Sequence, residues 1–457
     1  MLFRSDAAWT TAERLPFTTW VACAFWLLKK VLIVTPNWPP VSCPDLHRVR
    51  MALPYFANFG WEPLILKVDP SQQEGIKDPL LCSTVPADTR TWQADCVPIW
   101  ATRWAGVRNV GLRSFFHLAR IGNQIVETES PNVAFFSTTM FPLMAIGRYW
   151  HHRHGLPYVL DFQDPWRKKI RGIANRTQKA GLKSWLADLV ADVLEPLALR
   201  RVSHIISVSK AYVADLRSRY SWLGESALTV LPFGAAAADY AALERFPIKQ
   251  SAFDPSDGRR HCVYVGVSGP YMTLALNALF GALAKEVEAR PNLRESMRFH
   301  FIGTDYAPRE RARKSVERLA AAAGLADIVQ EQSDRIPYLE ALQCLRDAEA
   351  LIVPGSDDPG YTASKLFTYI LARKPLLAIF HEESSVVDIL RKTRAGMVVT
   401  FRSQDSVETI SERIIATGWL QSPSSNVPCT DWSAFEPYSA REMTRRLCQV
   451  FDQCSLQ

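Results

Sequence analysis

The residues best placed to do chemistry lie between Leu351 and Phe380, in the segment LIVPGSDDPGYTASKLFTYILARKPLLAIF. This segment predicts an apolar strand, a polar loop, a helix capped by Thr362 or Ser364, and a second strand. A loop between the carboxyl end of a strand and a helix N-terminus is where α/β proteins bind anions. Lys365 falls in the first helical turn, where the helix dipole disfavours a cation unless an anion lies nearby. Lys365 is therefore a candidate phosphate ligand, and the alternative is a side chain that extends into solvent.

A second group of charged residues accompanies the predicted strand Tyr158–Asp161, in the segment PYVLDFQDPW. Carboxylates at the end of a strand can orient or deprotonate a substrate hydroxyl, which makes Asp161 and Asp164 candidate catalytic residues. The alternative for Asp164, which precedes a proline, is a cap of the next segment. Arg48 and Arg50 follow the first predicted loop and are candidate contacts for a donor phosphate or an acceptor.

Metal-binding patterns are weak in this sequence. His151, His152 and His154 form a cluster, but they end a predicted helix just before Gly155, where cationic side chains are favourable without a metal. The nine cysteines contain no C-x-x-C pair, which argues against a zinc site or a disulfide framework and for a reducing compartment. We therefore expect no bound metal.

The composition bounds the class of protein. A chain of 457 residues is too long for one core and predicts two or three domains. With 48% hydrophobic and 22% charged residues, it has the composition of an ordinary globular protein. The formal charge of +7 suits a nucleotide-containing substrate or an anionic membrane surface. It does not single out nucleic acid, which is not an expected partner.

Residues 1–29 are predicted to be a leader outside the fold. Trp20–Leu28 is apolar but about half as long as a membrane-spanning helix. It has no clear cleavage site and is followed by Lys29 and Lys30, so a secretion signal is the weakest of three alternatives. The other two are a segment at a membrane interface and a disordered leader, which we favour.

Residues 30–235 predict a first α/β domain. A buried strand at Val31–Thr35, a helix over Asp45–Asn58 and a strand at Pro63–Val68 form a β-loop-α-β unit, the usual opening of a doubly wound sheet. The first turn has no G-x-G-x-x-G, so an NAD-binding site is not supported. Residues 69–105 contain several prolines and are predicted to be an irregular insertion over the sheet. Later elements are expected at Val133–Ser137, Pro142–His154, Tyr158–Asp161, Ile205–Val208 and Ala211–Arg219.

A second α/β series follows residues 236–260, which are low in regular pattern and predict a linker. Residues 261–435 alternate apolar strands with helices and predict a second domain of similar size. Residues 436–457 contain a final amphipathic helix, Ser439–Asp452. The other expected elements of this half are Cys262–Val265, Leu274–Ala289, Phe299–Ile302, Arg309–Ala323, Ile328–Gln330 and Tyr338–Asp347.

A basic segment follows the PYVLDFQDPW motif in the first domain. Seven lysines and arginines lie from Arg167 to Lys183, and no acidic residue interrupts the chain between Asp164 and Asp188. Tryptophan and leucine side chains are interleaved with them. Such segments can bind anionic lipid head groups, and the alternative is a solvated loop or helix face.

The order of these patterns resembles the GT-B glycosyltransferases, in particular the nucleotide-sugar-dependent group of the family 4-like type, which includes many retaining enzymes. The matching segments run from about residue 30 to residue 450 and include VLIVTP, PYVLDFQDPW, IISVSK and VLPFG in the first half. In the second half VYVGVSG, FHFIGTD, RIPYLEAL and SKLFTYILARKPLLAI match. The resemblance implies an α/β fold of two doubly wound, Rossmann-like domains that face each other across a cleft.

The resemblance also implies a reaction. The first domain would hold a saccharide or lipid-linked acceptor and the second a nucleotide-sugar donor, with the last helix crossing back to the first domain. No metal or other cofactor is expected, since helix N-termini and basic side chains would stabilise the leaving pyrophosphate. The implied role is sugar transfer in surface polysaccharide or glycolipid assembly, with retention of configuration as the tendency of the group. The expected location is the cytoplasm or, peripherally, the inner face of the plasma membrane.

Positions that match the family, together with their neighbours in the same loops, form a set of candidate donor contacts. Arg335 and Ile336 stand where the backbone of the family pairs with the nucleotide base, and the alternative for them is a plain entry into the following helix. The full set is Gly266, Gly269, Gly303, Thr304, Arg335, Ile336, Ser356, Asp358, Tyr361, Ser364, Lys365 and Thr368.

Two departures from the family pattern identify the chain as a divergent branch. Gly360 and Thr368 replace the two glutamates that usually frame the donor loop. The segment GVSGP replaces the Arg and Lys often found after the first strand of the second domain. Two alternatives therefore stay open, a nucleotide-sugar epimerase of the same fold and a non-catalytic GT-B partner protein.

Overall fold

The computed structural model describes residues 28–73, 75–103, 107–167, 182–305, 313–358 and 364–456. These residues form two α/β domains, each built on one parallel sheet. The predicted leader, most of the basic segment after Arg167 and the predicted donor contact Tyr361 lie outside the described residues.

The first domain is built on a seven-stranded sheet in the order β3-β2-β1-β4-β5-β6-β7. Each pair of neighbouring strands is parallel. The central strands are apolar because helices cover both faces, and the side chains from Val31 to Val34 are fully buried. The strands are β1 (Lys29–Val34), β2 (Trp61–Val68), β3 (Arg90–Ala94), β4 (Val133–Ser137), β5 (Tyr158–Phe162), β6 (His204–Ser207) and β7 (Leu228–Val230).

Helices connect these strands and cover the sheet. Several begin at a side-chain cap: Asn109 accepts a hydrogen bond from the Leu112 amide, and Ser209 from the Ala211 amide. The helices of this domain are α1 (His47–Ala52), α2 (Ile99–Thr102), α3 (Val110–Glu129), α4 (Ala145–His154), α5 (Leu182–Leu199) and α6 (Lys210–Arg219), and α7 (Ala237–Arg245) leads to the second domain.

The second domain has a six-stranded parallel sheet in the order β10-β9-β8-β11-β12-β13. Its strands are β8 (Arg260–Val265), β9 (Met297–Ile302), β10 (Val329–Gln332), β11 (Ala350–Pro354), β12 (Leu376–His381) and β13 (Met397–Phe401). Its helices are α8 (Thr273–Ala289), α9 (Asn292–Ser296), α10 (Ser315–Ala322), α11 (Tyr338–Asp347), α12 (Leu366–Leu371), α13 (Ser385–Thr393), α14 (Val407–Ala416) and α15 (Trp432–Phe435).

Both sheets reverse their winding direction at one point. In the first sheet the chain runs outward from β1 to β3 and then returns to place β4 on the other side of β1. In the second sheet β8 and β11 have the same relationship. Ligands of open parallel sheets bind at the carboxyl ends of the strands beside such a switch point. A ligand site is therefore expected at the loops after β1, β4, β8 and β11.

The last helix, α16 (Ala440–Ser455), packs on the first domain although it follows the second in sequence. The ring of Phe451 lies 5.4 Å from that of Trp61 and 5.3 Å from that of Phe135, and all three are fully buried. Lys29 and Asp452 form an ion pair at 2.7 Å. The C-terminal segment thus completes the core of the first domain.

Three segments contain structure that the sequence did not predict. The helix predicted over Asp45–Asn58 is interrupted, because a 3-10 helix over Leu53–Phe59, with Pro54 as its second residue, follows α1. The 69–105 region contains β3, a short edge strand whose alternating exposure lacks the apolar run used to find strands. The predicted linker 236–260 contains α7, which its alanines favour and whose Asp239 and Leu243 are buried.

Candidate active site

A cleft of about 1390 Å³ opens between the two domains at the carboxyl ends of both sheets. Residues of the first domain form one wall, and loops after β8, β9, β10 and β11 form the other. Several candidate residues line this cleft: Asp164 from the first domain, and Gly266, Gly303, Arg335, Ile336, Asp358, Ser364, Lys365 and Thr368 from the second.

Lys365 lies at the winding switch of the second sheet and does not extend into solvent. Its Nζ donates a hydrogen bond to the Tyr264 hydroxyl at 2.6 Å and lies 4.6 Å from the centre of that ring. Its tip occupies the space beside Gly266 that a Cβ would need, and Gly266 has a φ of +145°. Loss of hydration around the ammonium lowers the pKa of Lys365 to about 7. An anion bound in the cleft would favour the protonated form of Lys365 and raise its pKa again.

The helix after Lys365 begins differently from the sequence prediction. Lys365 itself occupies the N-cap position of α12 and makes no side-chain cap, so the prediction of Ser364 as the cap is wrong. Thr362 lies outside the described residues. The hydroxyl of Thr368 donates to the Lys365 carbonyl at 2.6 Å. Thr368 thus lines the cleft where the family pattern has a glutamate. Its hydroxyl proton is already donated to a carbonyl of the same helix.

Three predicted donor contacts do not line the cleft. Thr304 is buried, and its hydroxyl donates to Glu331 Oε1 at 2.5 Å. Ser356 is also buried, and its Oγ accepts from the Asp358 amide at 2.9 Å. The Tyr271 ring occupies the space beside Gly269. The hydrogen bonds of Thr304 and Ser356 lie within the loops behind the cleft, and a donor contact by any of the three residues stays a prediction.

Asp161 is not available to a substrate. Its Oδ2 accepts from Arg48 Nε at 2.7 Å, and both side chains are fully buried. Ser137 Oγ and Gln163 Nε2 donate to the same oxygen at 3.0 and 2.8 Å. The carboxylate thus joins α1, β4 and β5 under the floor of the cleft. The predictions of a catalytic Asp161 and a ligand-binding Arg48 are wrong, because each residue neutralises the other.

Arg50 is also committed to a buried ion pair. Its Nη1 and Nη2 donate to the two carboxylate oxygens of Asp239, at 2.5 and 2.7 Å. Tyr338 Oη donates to the same carboxylate at 2.7 Å. The neighbouring charge of Asp239 raises the pKa of Arg50 against the effect of burial. The prediction that Arg50 contacts a phosphate is wrong, since it connects α1 to α7 and α11.

The first-domain wall contains residues that the sequence analysis did not select. His47, Thr139, Gln163 and Tyr212 line the cleft beside Asp164. Asp164 is exposed there. Burial and the nearby carboxylates of Asp164 and Asp358 raise the pKa of Tyr212, so acidic groups from both domains approach this tyrosine. A histidine directly before Arg48, at the end of the first loop, was the signal that could have revealed His47.

Two features are absent from the described residues. None of their helices is long and apolar enough to cross a membrane. No group of three or more histidine, cysteine, aspartate or glutamate side chains in the described ranges could hold a metal ion, the histidines of α4 included.

Comparison with known proteins identifies the fold. No family model and no curated sequence matches the chain. The crystal structure of Anabaena HepE with UDP and glucose is similar over 93% of this chain and 99% of its own, at a TM-score of 0.56 and 14% identity. Sucrose-phosphate synthase of Thermosynechococcus elongatus matches over 93% and 98%, at a TM-score of 0.56 and 14% identity.

A third structure agrees with these two. The UDP-forming α,α-trehalose-phosphate synthase of Burkholderia xenovorans, solved with glucose-6-phosphate, matches over 92% of this chain and 100% of its own. Its TM-score is 0.54 at 11% identity. The chain therefore has the GT-B fold predicted from its sequence.

Proposed function

We propose that the protein is a glycosyltransferase that moves a sugar from a nucleotide-sugar donor to a saccharide or lipid-linked acceptor. The GT-B fold supplies the frame for this reaction. The cleft supplies room for two substrates, because it has walls from both domains and about 1390 Å³ of space. The solved proteins of the same fold include HepE in complex with UDP-glucose and a UDP-forming synthase, which supports a nucleotide-sugar donor here.

The observation that carries the proposal is the environment of Lys365. Its ammonium lies at the winding switch of the second sheet, against Gly266 and the Tyr264 hydroxyl. The departing nucleoside diphosphate gains negative charge in the transition state of sugar transfer. A preorganised and partly desolvated donor stabilises such charge more than a fully solvated lysine would. We assign the pyrophosphate to Lys365 and the Gly266 loop, and the nucleotide side to Arg335 and Ile336.

Asp164 is the proposed acceptor-binding carboxylate. It is exposed and lines the first-domain wall of the cleft. Its role would be to orient or deprotonate the acceptor hydroxyl. The basic side chains that line the cleft would stabilise the leaving nucleoside diphosphate without a divalent metal. Transfer should therefore continue in excess EDTA. The resemblance of the sequence favours retention at the anomeric carbon, which NMR of the product's anomeric proton tests directly.

We extend the proposal to the acceptor's surroundings. Leu189, Val193 and Leu197 form an exposed apolar stripe on α5, which follows the basic segment that begins at Arg167. Apolar and cationic groups together favour an anionic bilayer surface. This combination supports a lipid-linked acceptor in polysaccharide or glycolipid assembly at the cytoplasmic face of a membrane. Sedimentation with vesicles containing phosphatidylglycerol should be lost at high salt, and binding unaffected by salt or by anionic lipid would contradict it.

The test of the proposed function is release of a nucleoside diphosphate. The purified protein is incubated with UDP-, GDP-, ADP- and dTDP-sugars, with and without saccharide or membrane-extract acceptors. We expect release from one nucleotide class that depends on the acceptor. Lys365→Met should lower the rate by about a hundredfold to a thousandfold, as loss of a comparable oxyanion donor does. Lys392→Met, an exposed lysine of α13, serves as the control.

Two outcomes would overturn this proposal. Conversion of the nucleotide sugar to an epimer without an acceptor would identify an epimerase. Equal rates for Lys365→Met and Lys392→Met would remove Lys365 from the reaction.

Asp164→Asn provides the corresponding test on the acceptor side. Removal of a general base lowers turnover by about a hundredfold to ten-thousandfold, while the donor should bind as before. Steady-state kinetics and donor titration separate these two effects. Asp88→Asn, a change at an exposed aspartate of the first domain, is the control. A variant with normal turnover would exclude Asp164 from the chemistry.

A further inference from the structure

His47 is the one described histidine that lines the cleft, and it has no role in the function proposed above. It is the first residue of α1, at the end of the loop that follows β1. Its ring lies 4.8 Å from the ring of Tyr338, which belongs to the second domain. The imidazole is therefore held at the boundary where the walls of the two domains meet.

The hydrogen bonds of His47 determine which nitrogen carries its proton. Nδ1 lies 3.2 Å from Arg50 Nη2. A guanidinium has only N–H donors, so Nδ1 must accept this bond with its lone pair. The proton of the neutral ring is then on Nε2. Burial and the charge of Arg50 lower the pKa of His47 to about 3, so the ring stays neutral at physiological pH.

The partners that impose this tautomer are themselves fixed. Asp239 binds both terminal nitrogens of Arg50 and accepts a further hydrogen bond from Tyr338. Asp239 lies on α7, between the domains. Its carboxylate holds both the guanidinium of Arg50, which donates to Nδ1 of His47, and the hydroxyl of Tyr338, whose ring packs on His47. Arg335 is close enough to influence the pKa of His47, which places positive charge on the same side of the cleft. Among the described residues, none makes a hydrogen bond to Nε2 of His47.

We propose that His47 contacts the nucleotide-sugar donor, donating its Nε2 proton to an oxygen of the nucleoside diphosphate when the donor lies between the domains. This inference rests on the proposed function. A neutral imidazole with a protonated Nε2 cannot act as a base through that atom, so His47 binds and orients and does not remove the acceptor proton. The first domain thereby contributes one hydrogen-bond donor to the nucleotide sugar, whose other contacts come from the second domain.

The experiment compares two substitutions with different chemistry. His47→Phe keeps a ring against Tyr338 but has no N–H, whereas His47→Gln places an amide N–H near the original Nε2. Calorimetric titration with the nucleoside diphosphate that binds the unmodified protein should show about a tenfold to hundredfold loss for His47→Phe. His47→Gln should stay within about threefold. His152→Phe, at an exposed histidine of α4, is the control.

A measurement on the unmodified protein guards against a misfolded variant. With ¹⁵N-labelled histidine, the NMR signals of His47 should show a protonated Nε2 and an unprotonated Nδ1 that do not titrate between about pH 5 and pH 9. The Nε2 signal should shift when the diphosphate is added. Affinity unchanged in His47→Phe, or an Nε2 signal unmoved by the ligand, would overturn the inference while the proposed function stands. Absence of binding to any diphosphate would instead count against the proposed function.

Discussion

At the scale of single residues, the sequence identified charged groups near strand ends but not their partners. Lys365 was found because one lysine in a first helical turn, after a loop of glycine and aspartate, is a local signal. Arg48 and Asp161 are 113 residues apart, and only the folded sheet shows that they neutralise each other. His47 was missed for the same reason, since Asp239 and Tyr338, which fix Arg50 and the imidazole, are distant in sequence.

The lowered pKa of Lys365 predicts how binding depends on pH. The free protein has a pKa near 7 at this residue, and a bound pyrophosphate should raise it. Binding therefore takes up a proton above pH 7, and affinity should fall by up to about tenfold per pH unit as pH rises above that value.

Calorimetry in buffers of different ionisation enthalpy measures this proton uptake. The uptake should disappear in Lys365→Met and persist in Lys392→Met. Affinity that stays constant between pH 7 and pH 9 would show that Lys365 does not meet the anion.

At the scale of elements, regular apolar or amphipathic segments were predictable and irregular ones were not. The helix Tyr338–Asp347 has the bounds that the sequence predicted, because its apolar positions follow the helical period. The strand β3 is a polar edge strand and gave no such pattern. The segment that became α7 is alanine-rich, but its place between the domains involves tertiary contacts such as the ion pair of Asp239 with Arg50.

The ion pair of Arg48 and Asp161 predicts a large effect on stability. Asp161→Asn leaves the fully buried guanidinium without a counter-charge, which should lower the free energy of unfolding by about 3–5 kcal/mol. Urea denaturation measures the change, with Asp88→Asn as the exposed control. The double variant Arg48→Met with Asp161→Leu should recover part of the loss. If Asp161→Asn is as stable as the control variant, the ion pair does not contribute this much to the free energy of unfolding.

At the scale of the whole molecule, the C-terminal helix returns from the second domain to the first. The helix α16 follows the second domain but supplies Met443, Leu447 and Phe451 to the core of the first. The two domains are therefore not independent in sequence, although each has its own sheet. The sequence resemblance implied this crossing. Only the structure shows which faces of the helix and of the first domain are in contact.

Phe451→Ala should destabilise the first domain from a position near the C-terminus. Loss of a buried phenylalanine ring costs about 3–5 kcal/mol. Hydrogen exchange should show faster exchange in β1 and β4, with β8 and β11 changed less. Leu456→Ala, at an exposed residue of the same segment, should leave the exchange unaltered. Equal acceleration in both sheets would mean that the domains unfold as one unit.

Titration of the unmodified protein with ADP, GDP, UDP and dTDP, without added metal, tests the central claim most directly. The account predicts that one of these diphosphates binds, that the others bind at least about tenfold more weakly, and that Lys365→Met loses the preferred ligand while Lys392→Met keeps it. Failure of all four diphosphates to bind, or equal binding by Lys365→Met, would contradict a nucleotide-sugar site in this cleft.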